Sequence, residues 1–127
     1  MLKTALSPPN AILFVFDPTN KDVVIPPYVD GELTASSSTC VSVGTRADVD
    51  GDTDISLDVG GADPAGMQQA FFGVIGAPGG KVAVVTSQFQ RVLEIEIPAG
   101  SVEVSIWSDE LRNPGRIAVN VKPEKSS

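Results

Sequence analysis

The sequence predicts an all-β protein, an antiparallel two-sheet β-sandwich of about eight to ten strands with at most one short helix. Three observations lead there. The apolar runs are short, rich in Val, Ile and Phe, and separated by Pro, Gly, Asp or Ser, the punctuation of strands joined by turns. Within "VLEIEI" (92–97) and "VEVSI" (102–106) apolar residues take alternate positions, so each strand has one dry and one wet face. "AILFVF" (11–16) and "KVAVV" (81–85) are apolar on both phases, which places them centrally or under a covering loop.

Taken in order, strands fall near 11–16, 22–25, 39–47, 53–59, 70–75, 81–86, 89–97, 101–107 and 116–122. "LTASSS" at 33–38 reads as an irregular edge or loop. "DPAGMQQA" is the candidate helix, one or two turns with Asp63 as N-cap and Pro64 at the first helical position. "SDELRN", before Pro114, is a candidate single turn. Residues 1–127 form a single β-sandwich domain, with 122–127 as a frayed tail.

Parity also suggests strand pairs, because opposing residues of an antiparallel pair point to the same face. Ile97 then opposes Val102 across a Pro98–Ser101 turn, Ile95 faces Val104, and Leu93 faces Ile106. By the same rule Val43 pairs with Val59 and Ala47 with Ile55 across the tip Asp50-Gly51-Asp52. "GAPGG", Gly76 to Gly80, is a further hairpin turn.

Nine basic and sixteen acidic residues leave a net charge of −7. Such a surface repels phosphate backbones, so nucleic acid is excluded as a partner and a basic protein is favoured. No run approaches the ~20 apolar residues of a membrane helix. "MLKTALSPPNAILFVFD" is a poor secretory signal, because Pro8, Pro9 and Asn10 interrupt it, and a cytoplasmic location is expected. Cys40, the single cysteine, rules out an internal disulfide and is expected to be half-buried.

The absence of histidine removes the commonest general base and zinc ligand. Ser36, Ser37 and Ser38 have no base beside them, and "GAPGG" lacks the lysine-serine ending of a phosphate cradle. Glu94, Glu96 and Glu103 are the remaining acid–base candidates, with Glu96 opposing Glu103 in the expected hairpin. A sugar-sized cleft between carboxylates is usually flanked by aromatics. One tryptophan and one tyrosine do not supply that, so the chain is expected to be non-enzymatic and to need no cofactor.

"TRADVDGDTDISLDVG" (45–60) concentrates Asp48, Asp50, Asp52, Asp54 and Asp58. As a helical calcium loop it fails. Thr53 stands where the sharp turn needs glycine, and Val59 where a bidentate Glu belongs. An acidic hairpin tip is the leading reading, in which Asp48 lies opposite Asp54 with Arg46 to relieve the repulsion. A weak Ca²⁺ site at Asp48, Asp50, Asp52 and Asp54 is the alternative. Trp107 falls on the outward phase opposite Val92, either covered by a loop or the 108–113 turn, or forming a contact patch. Tyr28, in the Pro-rich "VIPPYVDGEL", is a third candidate anchor for a partner.

Three functions compete on this reading. One is a cytoplasmic protein-binding domain, an inhibitor or immunity-type protein for a basic partner. Another is a metal- or carbohydrate-binding accessory module using the Asp48–Asp58 loop. The last is a homo-oligomeric structural protein joined through Trp107 and exposed sheet edges.

The order of "FVFD" (14–17), "VSVGT…DGDTDISL" (41–57) and "VLEIEIPAGSVEVSIW" (92–107) resembles the competence protein J family. The resemblance implies a small intracellular β-sandwich that inhibits a nuclease in the manner of an immunity protein. No inhibitory residue carries over from it.

Overall fold

The computed structural model describes residues 2–27, 31–61 and 64–124. It holds ten strands: β1 (Leu2–Leu6), β2 (Ile12–Phe16), β3 (Thr34–Ser36), β4 (Cys40–Gly44), β5 (Thr53–Val59), β6 (Gln68–Ala77), β7 (Lys81–Thr86), β8 (Arg91–Glu96), β9 (Gly100–Ser108) and β10 (Arg116–Pro123). They form two five-stranded sheets, ordered β1-β5-β10-β9-β6 and β3-β4-β2-β7-β8. The all-β sandwich expected from the sequence is the fold observed.

One core lies between the sheets. Leu13, Val15, Val41, Val43, Val82 and Val84 face it from the β2 sheet. Ile55, Leu57, Val104, Ile106, Ile117 and Val119 face it from the β5 sheet. Strict alternation puts these residues inside, with Ser56, Glu103, Ser105 and Asn120 between them on the outer face. The doubly apolar runs are β2, the central strand of its sheet, and β7, its interior neighbour. Phe16, Ala83 and Val85 of their second phase build a smaller cluster with Cys40 of β4, and Val23 of the connection after β2 packs against it.

Strand pairing departs from the expectation at three places. β4 pairs with β2 and β3, whereas β5 pairs with β1 and β10, so Val43–Val59 and Ala47–Ile55 are not partners. β8 pairs with β7, whereas β9 pairs with β6 and β10, so Ile97–Val102 and Glu96–Glu103 are not opposed either. The glycine-rich turn likewise joins β6 to β7 across the sandwich instead of closing a hairpin. The physical reason is common to all three. Two strands facing one core from opposite sheets satisfy the same parity as two strands in one sheet, and only hydrogen bonding tells them apart.

Other departures have local causes. β1 is an edge strand that the polar-alternating "LKTAL" does not advertise. Residues 22–25 form no strand: Val24 is held by side chains, its N–H donating to Thr39 Oγ1 at 2.8 Å and its carbonyl accepting from Ser37 Oγ. Pro26 and Pro27 then remove the next donors a ladder would need. Residues 64–67 and 109–113 form turns and bends rather than helix, and Asp63 lies outside the described residues. β5 and β10 run parallel, the exception among antiparallel pairs, since no tight turn ties these distant strands together. Past the end of β10, Glu124 N–H donates to Ser101 at 3.0 Å; residues 125–127 lie outside the description. Cys40 is fully buried instead of half-buried. Burial pushes its thiol up to about 12, against a hydrogen bond with the Val15 backbone.

Candidate functional site

Four connections meet at one end of the sandwich: residues 7–11 between β1 and β2, 45–52 between β4 and β5, 87–90 between β7 and β8, and 109–115 between β9 and β10. Hydrogen bonds run from each to another. Ser7 Oγ donates to Asp52 Oδ1 at 2.9 Å, and Thr45 N–H to Ala11 O at 2.9 Å. Asn10 Nδ2 donates to Ser87 Oγ at 2.9 Å, while Arg46 N–H reaches Pro114 O at 3.1 Å. The Arg46 guanidinium lies over Gly115, where a Cβ would collide with it, and donates to Asp50 O at 3.2 Å. Asp109 Oδ1 accepts from Gly115 and Arg116, each at 3.1 Å. Loops cross-braced in this way present a preorganised surface, which lowers the ordering entropy lost on binding.

Three large apolar side chains stand out of this end. Val49 is 87% exposed, Phe89 71% and Leu111 55%, one on each of three loops. Phe89 is the most telling. It sits at φ +61°, a conformation costly for a bulky residue. Thr86 holds it there: its carbonyl accepts Phe89 N–H at 2.9 Å, and its hydroxyl accepts the N–H groups of Gln88 and Gln90. Beside these tips lies a cleft of about 590 Å³, lined by Asn10, Ala11, Thr45, Leu111 and Arg112. In sequence the four loops carry five carboxylates (Asp48, Asp50, Asp52, Asp109, Glu110) against Arg46 and Arg112. Such a surface offers apolar anchors within a negative field.

The aspartate cluster is part of this end, but its members diverge. A short 3₁₀ turn spans Asp48–Asp50, and Gly51 at φ +104° turns the chain back. Asp52 is engaged by Ser7, and Asp54 sits on the outer face of β5 beside Arg116 of β10, not opposite Asp48. The Asp48 side chain lies outside the described residues. Among those described, no three acidic or thiol groups converge as metal ligands.

Trp107 lies elsewhere, on the outer face of the β5 sheet, between Ala118 of β10 and Gln69 of β6. Val92 belongs to β8 in the other sheet, so the expected Trp107–Val92 pair does not exist. The segment leading into β6, with Pro64 and Met67, lines a cavity of about 390 Å³ together with Trp107, Asp54 and Arg116. Pro64 and Met67 of this crossing segment border the cavity with Trp107, and no residue of the 108–113 turn does. Trp107 Nε1 is sealed from solvent with no hydrogen-bond partner among the described residues. Tyr28 lies outside the described residues. Val49, Phe89 and Leu111 went unnoticed in the sequence because isolated apolar residues in polar loops are ordinary, and only their placement on loops at one end of the sandwich is informative.

No protein-family model matches the chain, and no curated protein matches it in sequence. Among solved structures it is similar to ComJ from Bacillus subtilis, an inhibitor of the DNA degrading activity of NucA. The TM-score is 0.65 at 14% identity, covering 98% of this chain and 96% of that one. The likeness is one of fold: this chain has the β-sandwich architecture of ComJ, as the resemblance to the competence protein J family implied.

Proposed function

We propose that this chain is a non-enzymatic protein-binding domain that inhibits a basic partner, a nuclease in the first instance, through the end formed by residues 7–11, 45–52, 87–90 and 109–115. The observation that carries this reading is the exposed Phe89, held at positive φ at the same end of the sandwich as the exposed Val49 and Leu111, on cross-braced loops. Strain of that kind persists where surroundings over-determine it, and it collects at binding sites. Loop carboxylates attract the same cationic surface that a nuclease uses for the phosphate backbone. The fold shared with a nuclease inhibitor supports the choice of partner class.

The test is titration of the chain into NucA, and into any nuclease encoded beside its own gene, with DNA degradation as the readout. Inhibition is expected, weakened at least tenfold by the double substitution Val49→Ser, Phe89→Ser. Failure to inhibit either enzyme contradicts the proposal, as does full inhibition by the double variant.

A further inference from the structure

The two sheets expose four edge strands: β1 and β6 in one, β3 and β8 in the other. Edges with unpaired backbone groups invite pairing with another chain, and proteins guard them with shortness, charge, proline or bulges. β3 is three residues long, and β1 is five residues with Lys3 in its middle. β8 carries Arg91, Glu94 and Glu96 and is bulged against β7. β6 has ten residues, "QQAFFGVIGA", without a charge or a proline; its register against β9 shifts once, between Gln69 and Phe71, and is regular from Phe71 to Ala77. In a chain of net charge −7 this neutral edge is conspicuous.

The open positions on β6 follow from its register. Phe71, Gly73 and Ile75 pair with the core residues Ile106, Val104 and Val102, so Phe72 and Val74 point their side chains outward. They are 59% and 45% exposed. Gly76 N–H donates away from β9, to Ser38 O at 2.9 Å. Backbone groups alternate sides along an antiparallel strand, so the N–H and C=O of Phe72 and Val74 also point to this side, which Ser38 occupies at Gly76. Among the described residues nothing occupies them. The Phe71 ring packs over Gly73, where a Cβ would meet Cζ at 2.7 Å, and this closes the core behind the edge.

We infer that β6 is a self-association edge, pairing antiparallel with β6 of a second copy about a two-fold axis at Gly73. In that register Phe72 of one copy opposes Val74 of the other, twice, and each pair exchanges both backbone hydrogen bonds. The outward side chains then form aromatic–β-branched cross-strand contacts. Charge favours a second copy as the occupant. Another acidic chain meets least repulsion along a strand that carries no charge of its own; of the β9 neighbours of Phe72 and Val74 on the outer face, Ser105 is neutral and Glu103 is the one carboxylate, set back from the edge by one strand. A contact confined to one strand is small, so the dimer is weak and concentration-dependent. This inference is independent of the loop end described above.

Sedimentation velocity from micromolar to millimolar concentration tests it. The mass is expected to rise from 13.2 kDa toward twice that value. Val74→Pro removes only a donor that the fold does not use, and Phe72→Lys removes the cross-strand contact; both are expected to abolish the rise while the melting transition persists. Ala5→Lys on the β1 edge adds the same charge as Phe72→Lys and is expected to leave the rise intact. A wild type that stays monomeric overturns the inference, as does a dimer that survives both β6 variants or dissolves only in Ala5→Lys. A monomer whose binding of a basic protein is lost in Val74→Pro also overturns it, assigning the edge to a foreign strand.

Discussion

Buried polar chemistry holds the molecule together at single residues. Asp17 is fully buried, and its carboxylate accepts from Thr19 N–H at 2.9 Å, from the Thr19 hydroxyl, and from Gly79 N–H at 2.6 Å. It fastens the chain leaving β2 to the turn between β6 and β7. Asp17→Ala leaves those donors without a partner and is expected to cost about 2 kcal/mol in denaturant unfolding. Cys40 gives a pH dependence whose sign follows from its raised thiol. Below about pH 9 folded and unfolded states both keep the proton, so nothing is lost; between about 9 and 12 only the unfolded state ionises. Stability should therefore fall by about 1.4 kcal/mol per pH unit across that window, and the difference between wild type and Cys40→Ala isolates the contribution. Phe89→Gly separates function from folding. Glycine accepts φ +61° without strain, so stability is expected to hold or rise by up to ~1 kcal/mol while partner binding is lost.

Strands and their connections show where sequence periodicity is informative and where it stops. Alternation in "VEVSI" assigned Val102, Val104 and Ile106 to the core, and "DISLDV" did the same for Ile55 and Leu57. Ile106→Ala is expected to cost about 3 kcal/mol, whereas Ser105→Ala on the opposite face of the same strand should stay within about 0.5 kcal/mol. The partners of those strands were not legible. Val43 and Val59 share a parity, yet β4 and β5 stand in different sheets. A short acidic tip between two alternating runs reads as a hairpin, but here it bends the chain over the end of the sandwich. β1 was invisible for another reason: an edge strand with one half-wet face needs little apolar content, and "LKTAL" has the composition of a helix. The end proposed to bind a partner was only partly legible. Its carboxylates stand out in sequence, whereas Phe89 in "TSQFQR" acquires meaning only from its dihedral angle and its neighbours in space.

At the scale of the whole molecule, charge and shape divide the work. A net charge of −7 with five carboxylates on the four loops at one end is a long-range field, which acts on encounter more than on residence. Substituting Asp50 and Glu110 with Lys is expected to slow association about tenfold at low salt and to flatten its salt dependence, with dissociation little changed. Removing the Phe89 ring should do the reverse, accelerating dissociation. Framework and loops keep these effects separate, because the core lies between the sheets while the apolar tips stand at one end. The most direct measurement is amide hydrogen exchange of the chain alone and in complex with the nuclease proposed as its partner. New protection is expected in residues 7–11, 45–52, 87–90 and 109–115. Protection confined to β6 or to the Trp107 face, with those loops unchanged, would contradict the account.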